Sequence, residues 1–231
     1  MKIKILEFVE GAQKADGVTV VIDVFRAFSV SCYAFYAGVR EIIVTDSIDE
    51  AFRLKEKYKE SVLAGERDEK KIAGFDLGNS PTEILLSNLS GKILIQTTTA
   101  GTRGLLSASS STELLTGSLV NASAVARYIK KINPETVSLV AMGYRGKTTA
   151  EEDILCAEFI ADRISGGTKD FSEKICNLCN TSGKRFFIPE NSDFSPPTDF
   201  FLCTMTDRFD FVLKAIRRLD GNISLVKTEI E

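Results

Sequence analysis

Apolar residues along this chain fall into short continuous runs separated by stretches with helical spacing. The runs at 2–9, 18–24, 40–45, 61–64, 92–96, 112–116 and 136–142 read as strands. The intervening segments 27–38, 47–59, 81–88, 101–109, 121–131 and 150–165 place apolar residues three and four apart and read as helices. Several strands, such as Val18 to Val24, are almost unbroken apolar sequence rather than alternating, which predicts strands covered on both faces. The alternation predicts an α/β fold: three α/β/α layers around a mostly parallel or mixed sheet. The last third is less regular. Residues 166–200 read as loops around one or two short helices, followed by a helix at 207–219 and a closing strand at 222–228. The whole of 1–231 is expected to form one domain; should it divide into two similar lobes, the seam falls near 117–121.

Helix starts are strongly marked. Ser47 with Glu50, Ser80 with Glu83 and Thr149 with Glu152 each match the capping box, and Pro81 occupies the favoured first helical position. Asp207 is expected to cap the helix after it. The segment 66–80 reads as a long loop rich in charge and glycine, a length that suggests function.

Composition narrows the function classes. A net charge of −3 offers no cationic excess for a nucleic-acid backbone. No apolar run reaches membrane-spanning length, and the N-terminus lacks a signal-peptide pattern, so the cytoplasm is expected. Five cysteines at irregular spacing do not read as a disulfide framework, and Cys176 with Cys179 lacks the further ligands a zinc site needs. The chain has no histidine, so any hydrolytic chemistry must run without imidazole.

In an open parallel sheet a ligand sits at the carboxyl ends of the strands. Five post-strand segments carry candidate chemistry. In the first, Asp23 ends a buried strand and Arg26 opens the next helix, a carboxylate for metal or nucleophile beside a fork for oxyanions. The Asp-x-Asp of haloacid-dehalogenase-type phosphatases is broken here by Phe25. Glu66 and Arg67 follow a second strand, as a metal ligand and an anion contact. Asn79 and Ser80 stand at a helix mouth. The run Thr97-Thr98-Thr99-Ala100-Gly101-Thr102-Arg103 joins hydroxyls, backbone N–H groups, a helix start and a cation, as an oxyanion cradle does. Last, Arg145 lies in a glycine loop ahead of Glu151, Glu152 and Asp153, of which Glu152 or Asp153 is expected to face a cation. Hard oxygen donors without histidine select Mg²⁺ over zinc.

Together these motifs resemble the 2-phosphosulfolactate phosphatases of coenzyme M biosynthesis. The residues that carry the resemblance are Val21 to Arg26, Gly65 to Arg67, Gly74 to Pro81, Thr97 to Arg103, Glu152-Asp153 with Cys156, and Cys203 with Asp207. The resemblance implies a Mg²⁺-dependent phosphoric monoester hydrolase that releases phosphate from 2-phospho-3-sulfolactate, or a related phospho-acid, to give 3-sulfolactate. On that reading Mg²⁺ is held by Asp23, Glu66 and an acid of the Glu152–Asp153 pair. Arg26 or Arg103, with the threonine loop, stabilises the transferred phosphoryl group. Arg67 and Arg145 are the expected partners of the substrate's other acids. Direct attack by water and a phosphorylated enzyme group, Asp23 foremost, both remain open, as does homo-oligomerisation. The competing class is a non-catalytic protein that binds a phosphorylated metabolite through the same loop without a metal.

Overall fold

The computed structural model describes residues 1–230. It is an α/β structure built on one ten-stranded mixed, mostly parallel sheet flanked by helices. The first half of the chain gives β1 (Lys2–Glu7), α1 (Phe8–Lys14), β2 (Gly17–Ile22), α2 (Ala27–Tyr36), β3 (Glu41–Val44), α3 (Ile48–Lys57), β4 (Val62–Arg67), β5 (Lys70–Lys71), α4 (Pro81–Leu85), β6 (Ile93–Thr97) and α5 (Gly101–Ser107). The second half gives β7 (Ser111–Gly117), α6 (Ala122–Ile132), β8 (Thr136–Ala141), α7 (Glu151–Ile164), α8 (Ser172–Asn177), α9 (Pro197–Thr204), β9 (Phe211–Arg217) and β10 (Ile223–Glu229). No helix among the described residues is long and apolar enough to cross a membrane.

The strand order is β1-β8-β2-β7-β9-β10-β3-β6-β4-β5. Within it, β1, β8, β2 and β7 are mutually parallel, as are β3, β6 and β4. The antiparallel hairpin β9–β10 lies between these two groups, pairing β7 on one side and β3 on the other. The C-terminal residues are thus the splice that makes one sheet of two parallel parts. This is where the expected helix at 207–219 is wrong: Phe211–Arg217 is a strand, because two open strand edges flank it and offer its backbone a full ladder. The expected strand at 2–9 is also shorter, its last residues beginning α1.

Helix α2 is apolar all round and nine of its ten residues are buried, as expected of a helix enclosed by other elements. It shares a core with α1, α4, α5 and residues from eight strands' worth of one sheet face, including Val21, Val140, Leu213, Leu225, Ile42 and Leu94. The neighbouring strand residues, which point the other way, pack under α6 and α7 at one end and under α3 at the other. The sheet therefore has helices on both faces, with α2 at the centre of one of them.

At two of the three predicted capping boxes the serine cap forms without the reciprocal glutamate bond: Ser47 Oγ accepts from Glu50 N–H and Ser80 Oγ from Glu83 N–H, while Glu83 turns to Gly78 N–H. At the third, no such cap forms. Helix α7 starts from Ala150, and the Thr149 hydroxyl donates instead to Glu7. Asp207, with no helix behind it, accepts from the backbone N–H and hydroxyl of Ser123 in the first turn of α6.

Leu213 is fully buried in the hairpin that joins the two parallel groups. Leu213→Ala is expected to cost about 2–5 kcal/mol of stability, read as a lower urea midpoint in equilibrium unfolding.

Candidate functional site

A cleft opens where the loops after β2, β4, β6 and β8 meet. Five acids line it (Asp23, Glu66, Glu69, Glu152 and Asp153), with three arginines (Arg26, Arg145 and Arg185). Such a density of acids away from bulk water needs a physical explanation, and backbone N–H groups supply most of it.

Asp23 lies just past β2. Its Oδ1 accepts from Ala27 N–H at 3.1 Å and its Oδ2 from Gly101 N–H at 2.9 Å. Four strands separate β2 from β6 in the sheet, about 24 Å if the sheet were flat. One carboxylate thus joins the loop after β2 to the start of α5, which the loop after β6 carries toward it. Gly101 permits this approach, since a Cβ there would stand 2.9 Å from Asp23 Oδ2 and 3.1 Å from Ala27 Cβ. Glu66 accepts from Glu69 N–H at 2.9 Å and from Thr99 N–H at 2.7 Å. Asp153 accepts from Val24 N–H at 2.8 Å and Gly143 N–H at 2.9 Å. Each of these three carboxylates fastens two backbone segments together.

Glu152 is different. It is 3% exposed, and its Oε2 is buried without a hydrogen-bond partner; the nearby Ser182 hydroxyl also completes no bond. Burial raises the pKa of Asp23 to about 6, with the charges of Glu66 and Glu152 adding to the rise and the two N–H donors opposing it. Burial likewise pushes Glu152 up. Asp153 is held well above the ordinary carboxylate range, by burial and then by the negative charges of Glu152 and Asp23. The Ser182 hydroxyl and the Arg185 guanidinium offset part of the rise at Glu152, whereas the side-chain charges that act on Asp23 and Asp153 are those of other acids. Among the described residues, no three acidic or cysteine side chains close into a ready-made metal cage. Mg²⁺ commonly takes only one or two carboxylates and fills its shell with water and substrate phosphate, so the donors present suit it.

Unpartnered polar atoms concentrate in the same place. Asn79 Oδ1, Thr99 Oγ1, Glu152 Oε2 and Arg185 Nε are buried without a partner, and all four residues line the cleft. Native proteins rarely leave such atoms unmatched, and a cluster of them marks where a ligand completes the bonding.

The arginines differ in how far they are committed. Arg26, 3% exposed, donates to Asp199 at 2.7 Å and to the Phe194 carbonyl at 2.5 Å. Asp199 also accepts from the Ser80 hydroxyl at 2.8 Å and from Thr82 N–H at 3.0 Å. Asp199 was not singled out by sequence as a site residue, yet it holds α4, α9 and Arg26 together. Arg145 is half-exposed and pairs with Asp68 at 3.1 Å. Arg185 pairs with Glu69 at 3.1 Å and also lay outside the sequence expectations, because nothing near it in the chain resembles a motif.

Comparison with known proteins now adds to the geometry. The family model described as 2-phosphosulpholactate phosphatase matches residues 4–184. The chain belongs to that family. A probable 2-phosphosulfolactate phosphatase of Bacillus subtilis is 34% identical over 216 residues, covering 92% of each chain. A protein of the same description from Caldanaerobacter subterraneus subsp. tengcongensis is 36% identical over 209 residues, covering 84% of this chain and 86% of its own. A third, from Carboxydothermus hydrogenoformans, is 45% identical over 138 residues, 59% of this chain and 57% of its own.

The cleft of this 2-phosphosulfolactate phosphatase family member gathers Asp23, Arg26, Glu66, Asn79, Thr99, Arg145, Glu152 and Asp153. Other expected residues lie behind it. Arg67 is turned to the Glu66 and Asp46 carbonyls and to the Thr97 hydroxyl, which it thereby occupies. Thr98 and Thr102 bond to one another, with Thr98 N–H donating to Thr102 Oγ1 and Thr102 N–H to Thr98 Oγ1. Ser80 is spent on its helix cap and Asp199. Arg103 lies on the exposed side of α5 and does not line the cleft. The threonine run therefore presents a single hydroxyl, that of Thr99, while its Thr98, Thr99 and Gly101 N–H groups are taken by Thr102, Glu66 and Asp23. Its role is largely to knit the loops together. The two CxxC cysteines, free and on or just after α8, lie outside the cleft.

Two outcomes follow. Asp199→Asn leaves Arg26 buried without its counter-charge, and a loss of about 3–5 kcal/mol is expected in denaturant unfolding. An acid whose folded pKa is raised destabilises the fold as pH climbs through its range. Glu152→Gln, which mimics the protonated form, is therefore expected to raise the melting temperature in EDTA at pH 8. The gain should vanish below the ordinary glutamate value near 4.5, which differential scanning calorimetry across pH would show.

Proposed function

We propose that this protein is a Mg²⁺-dependent phosphatase that hydrolyses the phosphate monoester of 2-phospho-3-sulfolactate, giving 3-sulfolactate and phosphate. The observation that carries the reading is the charge pattern of the cleft. Five acids face three arginines, and one of those arginines is already neutralised by Asp199. An anionic phosphate ester cannot enter such a cleft against that field without added positive charge. Membership of a phosphatase family and relatives described as probable 2-phosphosulfolactate phosphatases support the substrate.

Glu152, with its unpartnered oxygen, and Asp23 would hold the ion, with Glu66 and Asp153 beside them. Bound there, Mg²⁺ would relieve the crowded carboxylates and polarise a phosphoryl oxygen. The chain's own groups do the remaining work. The Thr99 hydroxyl is free to donate to a phosphoryl oxygen, and the half-exposed Arg145 guanidinium, paired with the exposed Asp68, stands at the same cleft. Asp23, which burial and the neighbouring acids raise to about 6 while the site holds no cation, would be kept ionised by the ion it holds. Asp153 and Glu66 fix the loops that carry these groups, so the site is organised before substrate arrives.

Phosphate release from 2-phospho-3-sulfolactate, measured with Mg²⁺ and after chelation, tests this directly. Turnover should need the ion, and Asp23→Asn should lower it by at least about 10²-fold. Equal turnover after chelation would remove the metal from the account, and no release from any phospho-acid in either condition would remove the phosphatase reading.

A further inference from the structure

The substrate proposed above keeps two acids, a carboxylate and a sulfonate, on the carbons that flank the phosphate ester. Resting on that reading, we propose that Arg185 is the specificity residue that binds an acid remaining on the product, and not the phosphoryl group. The sequence pointed to Arg67 for this task, but Arg67 is spent on two carbonyls and Thr97 behind the cleft. Arg26 is spent on Asp199 and the Phe194 carbonyl.

Arg185 has the features of a preset receptor. Its guanidinium carbon lies 5.2 Å from the ring centre of Phe186, 5.3 Å from that of Tyr144 and 5.9 Å from that of Phe25. Aromatic faces of this kind hold the planar fork in one orientation and shield it from water. Its Nη2 donates to the Phe25 carbonyl at 3.1 Å, which fixes the group further. Two signs show that its bonding capacity is not used up. Nε is buried without a partner, and Nη1 is engaged by Glu69, an acid that itself lines the cleft. Glu69 thus occupies, within the protein, a place suited to a substrate acid. A guanidinium offers two parallel N–H bonds to a carboxylate or sulfonate, and one donor here is still vacant. Arg145, by contrast, is half-exposed in a glycine-flanked turn and has no such enclosure.

Three phosphate esters separate the sources of the acid: 2-phospho-3-sulfolactate with both, 2-phosphoglycerate with the carboxylate alone, and glycerol 2-phosphate with neither. Arg185→Gln and Arg185→Lys are compared with wild type on all three, with melting temperatures as a folding control. The expected result for Arg185→Gln is a fall of at least about tenfold in the ratio of kcat/KM for an acid-bearing ester to that for glycerol 2-phosphate, carried by KM. A drop shown by 2-phosphoglycerate assigns the carboxylate, and one confined to the sulfonate ester assigns the sulfonate. Arg185→Lys should restore only part of the ratio, since an ammonium keeps the charge and loses the fork. An independent reading is the affinity of 3-sulfolactate by calorimetry, which should weaken about tenfold in Arg185→Gln. An unchanged ratio, whether because all three esters fall together or because none does, overturns the proposal while leaving the phosphatase reading intact. Wild-type protein inactive on every ester would instead strike at the phosphatase reading itself, and unaltered 3-sulfolactate affinity in Arg185→Gln would then overturn this proposal as well.

Discussion

Everything at the cleft depends on carboxylates that are paid for by backbone N–H groups. Asp23, Glu66 and Asp153 each take two such donors from two different segments. A buried acid without partners is costly, and one held by two N–H dipoles is tolerable even when other acids crowd it. The same bonds have a mechanical effect. Asp153 joins the loops after β2 and β8, Asp23 joins those after β2 and β6, and Glu66 joins those after β4 and β6. Four loops become one rigid floor, and the residues that make it rigid are those that give it negative charge.

This double use leaves the cleft with few backbone donors for an anionic ligand. The N–H groups that would otherwise form an oxyanion nest have been assigned to the protein's own carboxylates. Within the chain, the positive charge that remains at the cleft is that of its arginines. The arginines differ in their partners: Arg26 is locked inward on Asp199, whereas Arg145 and Arg185 line the cleft paired with Asp68 and Glu69. Asp199 extends the arrangement into the C-terminal part, since it fastens α4 and Arg26 at once.

Most of the architecture was legible in the sequence. The strands from 2 to 141 and the helices between them follow from apolar runs and capping residues, because strands buried on both faces leave an unmistakable pattern. The strand at 211–217 was not, because Phe-Val-Leu-Lys-Ala-Ile-Arg also suits a helix and owes its state to the edges of β7 and β10. At the site, residue type was informative and direction was not. Asp23, Glu66, Glu152 and Asp153 could be found because acids that directly follow buried strands, or crowd a helix start, are conspicuous. That Thr97, Thr98, Ser80 and Arg67 turn inward depends on partners far away in the chain, such as Asp199. Arg185 and Asp199 sit in the irregular segment, where no periodicity marks a position as special, and only their contacts reveal them.

The position of the β9–β10 hairpin has a consequence for how the protein is made. Residues 211–229 leave the ribosome after all the other strands of the sheet, yet they fill its middle. Until they emerge, β7 and β3 each present an open edge and the two parallel groups have no ladder between them. A nascent chain in that state is exposed to pairing with strands of other molecules. Assembly of the single sheet, and of the cleft at its strand ends, therefore awaits these two strands.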